Sequence, residues 1–270
     1  MDKITLRKVQ LIQLELLKYV KEICENNGIE YFLIDGTLLG AVRHKGFIPW
    51  DDDLDIAMVR EDYEVFINLV SNQINDLYFL QTWNTDPNYG FPYAKLIKKN
   101  TVYQEAVSCE TGIKNGVFID IFPIDSCGCA KEMNTLKYVY LNKVLLMKCN
   151  YKPWLATNAK NSKWKYYPFI LASKIFSREY IISKLESITK KYNSIYKNSN
   201  YCFENFGGDF SNLIFDKYIV DNLDKLQFEG DEFYVPQYYD DYLKIMYDNY
   251  MILPPIDQRG NQHKIISLKL

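Results

Sequence analysis

The sequence predicts an α+β fold, in which a mixed sheet with flanking helices is followed by a helical lobe. Short apolar segments of strand length alternate with amphipathic helical segments over residues 1–127. A stretch rich in Lys, Tyr and Leu with helical character follows them. With 48% hydrophobic and 24% charged residues, the 270-residue chain has the composition of a globular protein that can bury a sizeable core.

The first predicted elements alternate between helix and strand. Leu6 to Asn26 carries apolar residues at three- and four-residue spacing and is followed by Gly28, which predicts a helix that packs on the sheet and ends at this glycine. The next predicted elements are a strand at Ile29 to Ile34, a turn at Gly36-Thr37, a short helix at Leu38 to Val42, and a second strand at Asp53 to Met58.

The rest of the predicted sheet lies between residues 61 and 122. Glu61 to Val70 has one apolar face and predicts a helix that covers the sheet. Further strands are predicted at Leu77 to Trp83, Ala94 to Lys98 and Gly116 to Phe122. The last strand carries Asp120 among apolar residues, where an unpaired carboxylate is costly to bury. A neighbouring cation would remove that cost.

The second half predicts a helical lobe and a compact tail. Helical stretches from Lys131 to Asn200 are interrupted at Pro153 and Pro168. The tail predicts a hairpin at Phe228 to Phe233 centred on Gly230-Asp231, a helix at Tyr238 to Tyr247, and a rigid exit at Leu253-Pro254-Pro255. We therefore predict a catalytic core at residues 1–127, and a helical lobe with a nucleotide- or substrate-binding tail, packed on the core, at residues 128–270.

Charge and composition exclude several classes of protein. The net charge of −2 and the pI of about 5.8 provide no basic field for DNA or RNA, so no nucleic-acid partner is expected. No N-terminal signal region is present, and no apolar run approaches the roughly 18 residues of a spanning helix. Six cysteines without a framework pattern are expected to be reduced thiols. These features predict a cytoplasmic protein.

One stretch of the helical lobe, residues 160–178, mixes basic and aromatic residues. Lys160, Lys163 and Lys165 lie close to Trp164 and Tyr167 in the sequence. Basic residues beside Trp and Tyr suit a membrane surface, which would make the protein peripheral at the inner face of the membrane. The alternative is a solvated helix face with aromatic side chains in the core.

The most informative pattern is a carboxylate cluster. Asp53 and Asp55 alternate with Leu54 and Ile56, so on a strand the two acids point the same way while the apolar residues enter the core. Two neighbouring carboxylates repel each other unless a divalent cation lies between them, and hard oxygen ligands favour Mg²⁺ or Mn²⁺. Gly36-Thr37 before a helix would face an anion. Phosphate next to a metal implies phosphoryl or nucleotidyl transfer.

Three separated segments carry a family resemblance: Gly36 to Asp55, Val117 to Asp125 and Phe228 to His263. Together they resemble the nucleotidyltransferase superfamily and, within it, the LicD family of phosphocholine transferases, related to fukutin and fukutin-related protein. This resemblance implies a nucleotidyltransferase-like mixed sheet. It also implies that Asp53 and Asp55 bridge two metal ions and that Asp120 is the third carboxylate and completes the second metal site.

The resemblance further implies a reaction. Phosphocholine would pass from CDP-choline to a sugar hydroxyl of a lipid-linked or surface polysaccharide, such as teichoic acid or lipopolysaccharide, with release of CMP. Asp120 could accept the proton of the attacking hydroxyl. The residues expected to contact the donor are Gly36, Thr37, Arg43, His44, Lys95, Arg259 and His263. Arg259 and His263 follow the Pro-Pro exit, where an arginine can grip phosphate with two hydrogen bonds.

Three alternatives remain open from the sequence. Relatives with the same parts transfer ribitol phosphate or glycerol phosphate. A nucleotidyltransferase would move a nucleoside monophosphate from CTP or ATP onto a small molecule or protein, and would use the same metal carboxylates. A non-catalytic binding module would have no reason to retain Asp53, Asp55 and Asp120 together.

Overall fold

A mixed sheet is the centre of the fold in the computed structural model, which describes residues 1–73, 75–129, 135–156, 162–207, 213–260 and 263–270. The helices in these ranges are α1 (Lys3–Asn27), α2 (Asp35–His44), α3 (Arg60–Ser71), α4 (Leu136–Lys148), α5 (Tyr167–Ile175), α6 (Arg178–Ile195) and α7 (Tyr239–Tyr247). The strands are β1 (Phe32–Leu33), β2 (Asp55–Val59), β3 (Tyr78–Gln81), β4 (Ala94–Lys98), β5 (Val102–Glu105), β6 (Phe118–Cys127), β7 (Tyr201–Glu204), β8 (Ile214–Asp216), β9 (Leu223–Phe228), β10 (Asp231–Pro236) and β11 (Ile265–Lys269). The predicted α+β class is confirmed.

Strand β6 is the central strand of the sheet. It runs parallel to β2 and antiparallel to β4 along its first half and to β7 along its second half. The register places Asp55 of β2 and Lys95 of β4 opposite Asp120 of β6. One row across three neighbouring strands therefore holds two carboxylates and an ammonium group.

Helix α1 forms as its sequence predicts. The Asp2 carboxylate accepts hydrogen bonds from the N–H groups of Ile4 and Thr5 at 3.0 Å and caps the first turn. Gly28, with φ of 65°, takes the left-handed conformation that ends the helix. The apolar face of α1 is buried against the sheet, as predicted.

Several predicted boundaries are wrong, for reasons of pairing. The predicted strand at Ile29 to Ile34 is reduced to β1, because only two of its residues pair with β2. Strand β2 begins at Asp55 and not at Asp53, so Asp53 lies in the preceding loop. Conversely, β6 extends past Phe122 to Cys127, because β7 supplies a partner for its second half.

Two predicted turns also move. Gly36 and Thr37 lie inside the first turn of α2 and not before the helix. In the tail, the hairpin of β9 and β10 turns at Glu229-Gly230, whose φ angles of 53° and 82° are both positive. Paired positive φ angles match the twist of a two-residue hairpin, which places the turn one residue earlier than predicted.

The second half of the chain contributes to the sheet as well as to a lobe. Helices α4 and α6 share a core cluster with β6 and β7, and β7 and β8 extend the main sheet. Strand β11 pairs antiparallel with β5. The division at residue 127 stays a prediction. None of the described helices is both long and apolar enough to span a bilayer.

A buried ion pair joins α3 to β6. Arg60 donates from Nε and Nη2 to the two carboxylate oxygens of Asp125, both at 2.7 Å. The Asp125 side chain is fully buried, and it also accepts hydrogen bonds from Asn193 and Asn205. Asp125 is five residues after Asp120 on β6, so the alternation of a strand points these two acids to opposite faces of the sheet.

Candidate metal and phosphate site

Three consecutive carboxylates converge in the loop before β2. Asp51, Asp52 and Asp53 can each offer an oxygen within 4.8 Å of the other two. Asp51 and Asp52 are buried, whereas the Asp53 side chain is 23% exposed. The amides of Gln10 and Gln13 on α1 hold this loop in place, because they donate to the backbone carbonyls of Asp51 and Asp52 at 2.9 Å.

Asp55 and Asp120 extend the cluster onto the sheet. Burial, and then the charges of Asp53 and Asp120, raise the pKa of Asp55 well above its usual range. Burial also raises the pKa of Asp120 to about 6, although Lys95 opposes this rise. The Lys95 Nζ lies 3.2 Å from Asp120 Oδ1. The cluster therefore holds more negative charge than the one ammonium in its row can balance.

The chemistry of these donors fits a hard divalent cation. Oδ1 of Asp51 is buried and has no hydrogen-bond partner among the described residues. Burial, with the charges of Asp53 and Asp52, raises the pKa of Asp51 to about 9. A cation that takes carboxylate oxygens would satisfy this oxygen and offset the repulsion. The loop could therefore hold a metal ion.

Helix α2 begins beside the carboxylates. Gly36 lies in its first turn, where a Cβ atom would come within 2.8 Å of Asp51 Oδ2, so the close approach of this carboxylate favours glycine. The N–H groups of a first helical turn lack intrahelical partners and attract anions. Thr37 is buried, and its hydroxyl accepts a hydrogen bond at 2.8 Å from the N–H of Asp55, which links α2 to β2.

His263 reaches the cluster from the tail. Its Nδ1 lies 3.3 Å from Asp52 Oδ1 and 3.9 Å from Asp53 Oδ2, and its Nε2 lies 3.7 Å from Glu105 Oε1. Burial lowers the pKa of His263, but the hydrogen bond to Asp52 and the charges of Glu105 and Asp53 outweigh this effect and raise it to about 9. His263 is therefore protonated at neutral pH.

Lys95 and His263 face one cavity. This cavity has a volume of about 250 Å³, and its lining includes Asp120, Lys95, Glu105, His263 and Tyr93. The two cationic side chains share the cavity with the acidic Glu105 and Asp120, so its lining carries both signs of charge. It is suited to a group that carries both phosphate and a neutral or apolar part.

The remaining predicted donor contacts form a second group at the other end of α2. Arg43 donates to the backbone carbonyl of Tyr250 at 2.8 Å and to His44 Nε2 at 3.0 Å. The Arg259 guanidinium lies 5.2 Å from the ring centroid of Trp50. Burial and the charge of Arg259 lower the pKa of Arg43. Neither guanidinium forms an ion pair with a carboxylate in the ranges described above.

Sequence reasoning missed several residues of this region. Gln10 and Gln13 interrupt the apolar face of α1, and that interruption was the available signal for a structural role. Glu105 had no local signal, because only the pairing of β5 with β11 brings it to His263. Asp35 and Glu204 share a hydrogen bond beside the cluster, and burial raises the pKa of both. The charge of Asp53 adds to the rise at Asp35, and the charge of Asp35 adds to the rise at Glu204.

Comparison with known proteins identifies relatives along the whole chain. A family model described as "LicD/FKTN/FKRP, nucleotidyltransferase domain" matches residues 28–154. "Lipopolysaccharide cholinephosphotransferase LicD" of Haemophilus influenzae is 31% identical over 268 residues, which cover 97% of this chain and 97% of that protein. "Ribitol 5-phosphate transferase FKRP" of Homo sapiens is 46% identical over 48 residues, which cover 18% of this chain and 10% of FKRP.

A shorter match, to an uncharacterized protein of Rickettsia prowazekii, is 46% identical over 63 residues and covers 23% of each chain. The family model includes both Asp55 and Asp120, which the sheet places opposite each other. The similarity to the Haemophilus protein extends over both the sheet and the helical lobe. The chain therefore belongs to the LicD family and is a LicD-like phosphotransferase.

Proposed function

We propose that this chain transfers phosphocholine, or a similar phospho-alcohol, from a CDP-linked donor to a sugar hydroxyl of a cell-surface glycan or of its lipid-linked precursor. The observation that carries this proposal is that Asp55 lies opposite Asp120 and close enough to Asp51 and Asp53 for their charges to raise its pKa. Phosphoryl transfer commonly uses metal-binding carboxylates beside groups that bind phosphate, such as the first turn of α2 and Lys95. The name of the Haemophilus relative supports phosphocholine and a lipopolysaccharide acceptor.

Asp53, Asp55 and Asp120 would hold Mg²⁺ or Mn²⁺, two ions in our proposal. Asp51, whose buried Oδ1 has no hydrogen-bond partner among the described residues, would contribute a further oxygen. When bound, the metal neutralises charge on the donor diphosphate and lowers the pKa of the attacking hydroxyl. In our proposal the Asp120 carboxylate also accepts the proton of that hydroxyl. The acceptor oxygen forms a bond to phosphorus, the bond to the departing phosphate breaks, and CMP leaves.

We propose that two groups of residues bind different ends of the donor. In our proposal the reacting phosphate group contacts the first turn of α2 at Gly36 and Thr37. The side chains of Lys95 and His263 bind the same group. Arg43, His44 and Arg259 take the nucleotide end of the donor near Trp50. Electrostatics supports this placement. The guanidinium groups of Arg43 and Arg259 repel each other, and an anion between them would remove that repulsion.

We place the reaction on the cytoplasmic side. All six cysteines are free thiols, as is usual for proteins of a reducing compartment. Nucleotide-linked donors are substrates of the same compartment. The acceptor is then a glycan, or a lipid-linked sugar that is exposed at that side.

Calorimetric titration tests the proposal directly. The purified protein, with Mg²⁺, is titrated with CDP-choline, CDP-ribitol, CDP-glycerol, CTP and ATP, and phosphorus NMR then follows the products with a sugar acceptor. We expect one CDP-linked donor to bind in preference to CTP and ATP, and CMP to appear. Arg259→Gln is expected to weaken the binding of every CDP-linked donor about tenfold, which equals about 1.4 kcal/mol of binding free energy.

The same experiment separates the proposal from a rival. A nucleotidyltransferase would bind CTP or ATP, release pyrophosphate and leave a nucleoside monophosphate on the acceptor. That outcome would be consistent with the proposed metal ligands and would contradict the transfer of a phospho-alcohol. Preference for CDP-ribitol or CDP-glycerol would support the same type of reaction with a different transferred alcohol. A ribitol 5-phosphate transferase is among the relatives.

Metal binding is also predicted to offset a loss of stability that accompanies rising pH. The folded protein raises the pKa of Asp120 from 3.8 to about 6, of Asp51 from 3.8 to about 9, and of His263 from 6.5 to about 9. The folded chain therefore retains protons that the unfolded chain has lost. Without metal, stability falls as the pH rises through 6 towards 9.

Mg²⁺ competes with these protons for the carboxylates, so the increase in melting temperature that it causes is expected to grow between pH 6 and pH 9. Thermal melts with and without Mg²⁺ across this range measure the increase. Na⁺ at matched ionic strength is the control for general screening. An increase that stays constant with pH would contradict binding at these carboxylates.

A further inference from the structure

Helix α5 presents an apolar stripe to solvent. Trp164, just before the helix, is 76% exposed, and Tyr167, Leu171 and Ile175 are 51%, 48% and 77% exposed. Their spacing of three or four residues places them on one face. Ala172, on the other side of α5, is buried. An amphipathic helix normally turns its apolar face to the core, so the outward stripe of α5 is the reverse of the usual arrangement.

Two further exposed apolar residues lie on the neighbouring helix. Leu136 and Tyr140, one turn apart on α4, are 76% and 40% exposed. Helices α4 and α5 pack together, and the ring of Tyr140 lies 5.5 Å from that of Phe169. We call these six exposed residues the α4–α5 patch: Leu136, Tyr140, Trp164, Tyr167, Leu171 and Ile175. Exposed apolar residues grouped on two packed helices indicate an interaction site.

The charge around the α4–α5 patch has one sign. Residues 133–178 contain nine Lys and Arg residues and no Asp or Glu, although the whole chain has a formal net charge of −2. Lys163, Lys165 and Lys174 are exposed beside the patch. Lys160 belongs to the same basic stretch of sequence and lies outside the described part of the chain. Exposed lysines therefore flank the apolar stripe of α5.

We propose that the α4–α5 patch docks on the surface of a bilayer that contains anionic lipids. Trp and Tyr prefer the interface between headgroups and acyl chains, where Leu and Ile reach the apolar layer and lysines pair with lipid phosphates. A second copy of the chain fits poorly, since a symmetric dimer would bring two identical basic surfaces together. The sequence alternative of aromatic residues in the core is wrong for Trp164 and Tyr167, which are exposed.

The docking surface is linked to the site. Ala156 belongs to the same acid-free segment and lines the cavity that contains Asp120 and His263. A lobe that sits on the membrane would hold this cavity near lipid-linked sugars. The docking itself is independent of the proposed reaction, so the two can fail separately.

Vesicle sedimentation tests the docking with the full chain. We expect the protein to bind vesicles of phosphatidylcholine with phosphatidylglycerol, to bind pure phosphatidylcholine much less, and to dissociate as salt is added. Trp164→Ser combined with Ile175→Ser is expected to weaken binding about tenfold. The matched control changes two residues that are exposed elsewhere, Ile4→Ser and Ile195→Ser, which are 74% and 59% exposed in the wild type.

Charge reversal provides the second arm. The triple variant Lys163→Glu, Lys165→Glu and Lys174→Glu is expected to lose at least about tenfold in binding to the anionic vesicles. The matched control reverses three exposed lysines elsewhere: Lys3, Lys8 and Lys191. Circular dichroism melts check that all variants fold.

Two outcomes would overturn the proposal. One is vesicle binding that the patch variants and their controls reduce equally. The other is a wild-type chain that does not bind anionic vesicles but self-associates in analytical ultracentrifugation, with an association that the patch variants abolish. The second result would assign the α4–α5 patch to an interface between copies.

Discussion

Asp55→Asn is expected to reduce metal-dependent turnover by about a thousandfold, which corresponds to about 4 kcal/mol of activation free energy. Asp55 lies opposite Asp120, and the substitution removes one charged ligand of the proposed metal site. Stability should respond in the opposite direction. Because the buried Asp55 carboxyl has a pKa well above its usual range, its ionised form destabilises the metal-free fold at neutral pH.

The melting temperature of metal-free Asp55→Asn is therefore expected to equal or exceed that of the wild type. Asp53→Asn should lose activity in the same way. Asp224→Asn, an acid-to-amide change at an exposed position of β9, controls for net charge and should retain full activity. Turnover is measured by release of CMP, and stability by thermal melts without metal. Full activity in Asp55→Asn would defeat the assignment of the site.

Asp125→Asn is expected to have the largest effect on stability, a loss of about 3–5 kcal/mol. The buried Asp125 carboxylate accepts two hydrogen bonds from Arg60 at 2.7 Å, and others from Asn193 at 2.6 Å and Asn205 at 2.8 Å. An amide offers only one acceptor oxygen, and its NH₂ group would face donors. The substitution leaves the Arg60 guanidinium buried without its counter-charge.

Urea unfolding measures this loss, and the chain provides a matched control. Glu64 also pairs with Arg60, at 3.3 Å, but its side chain is 59% exposed. Glu64→Gln should change the free energy of unfolding by less than about 1 kcal/mol, as is usual for exposed pairs. If Asp125→Asn and Glu64→Gln unfold at the same urea concentration, the buried pair does not stabilise the fold as we describe.

The parts of the fold that sequence predicts well are those set by local periodicity. Helix α1 follows from apolar spacing and from Gly28, and the apolar residues beside Asp55 require a buried strand. Asp120 could be singled out because a lone acid in an apolar strand needs a partner. Each of these inferences uses only neighbours along the chain, where the geometry of helices and strands is fixed.

The parts that sequence misses depend on distant pairing. No local pattern shows that β11 pairs with β5, or that His263 thereby approaches Asp52 and Glu105. Arg259 and His263 are four residues apart, yet they lie in different groups. The α5 stripe illustrates a second limit, because periodicity identifies an apolar face without telling whether that face is turned to the core or to solvent.

The position of β11 in the chain has a consequence for how the protein is made. The acidic loop is synthesised well before His263, since the contact between Asp52 and His263 joins residues 211 positions apart in the chain. A chain that terminates before residue 263 has the carboxylates but neither this imidazolium nor the partner strand of β5. We expect such a truncated chain to lack the activity that we propose, because it cannot complete the site.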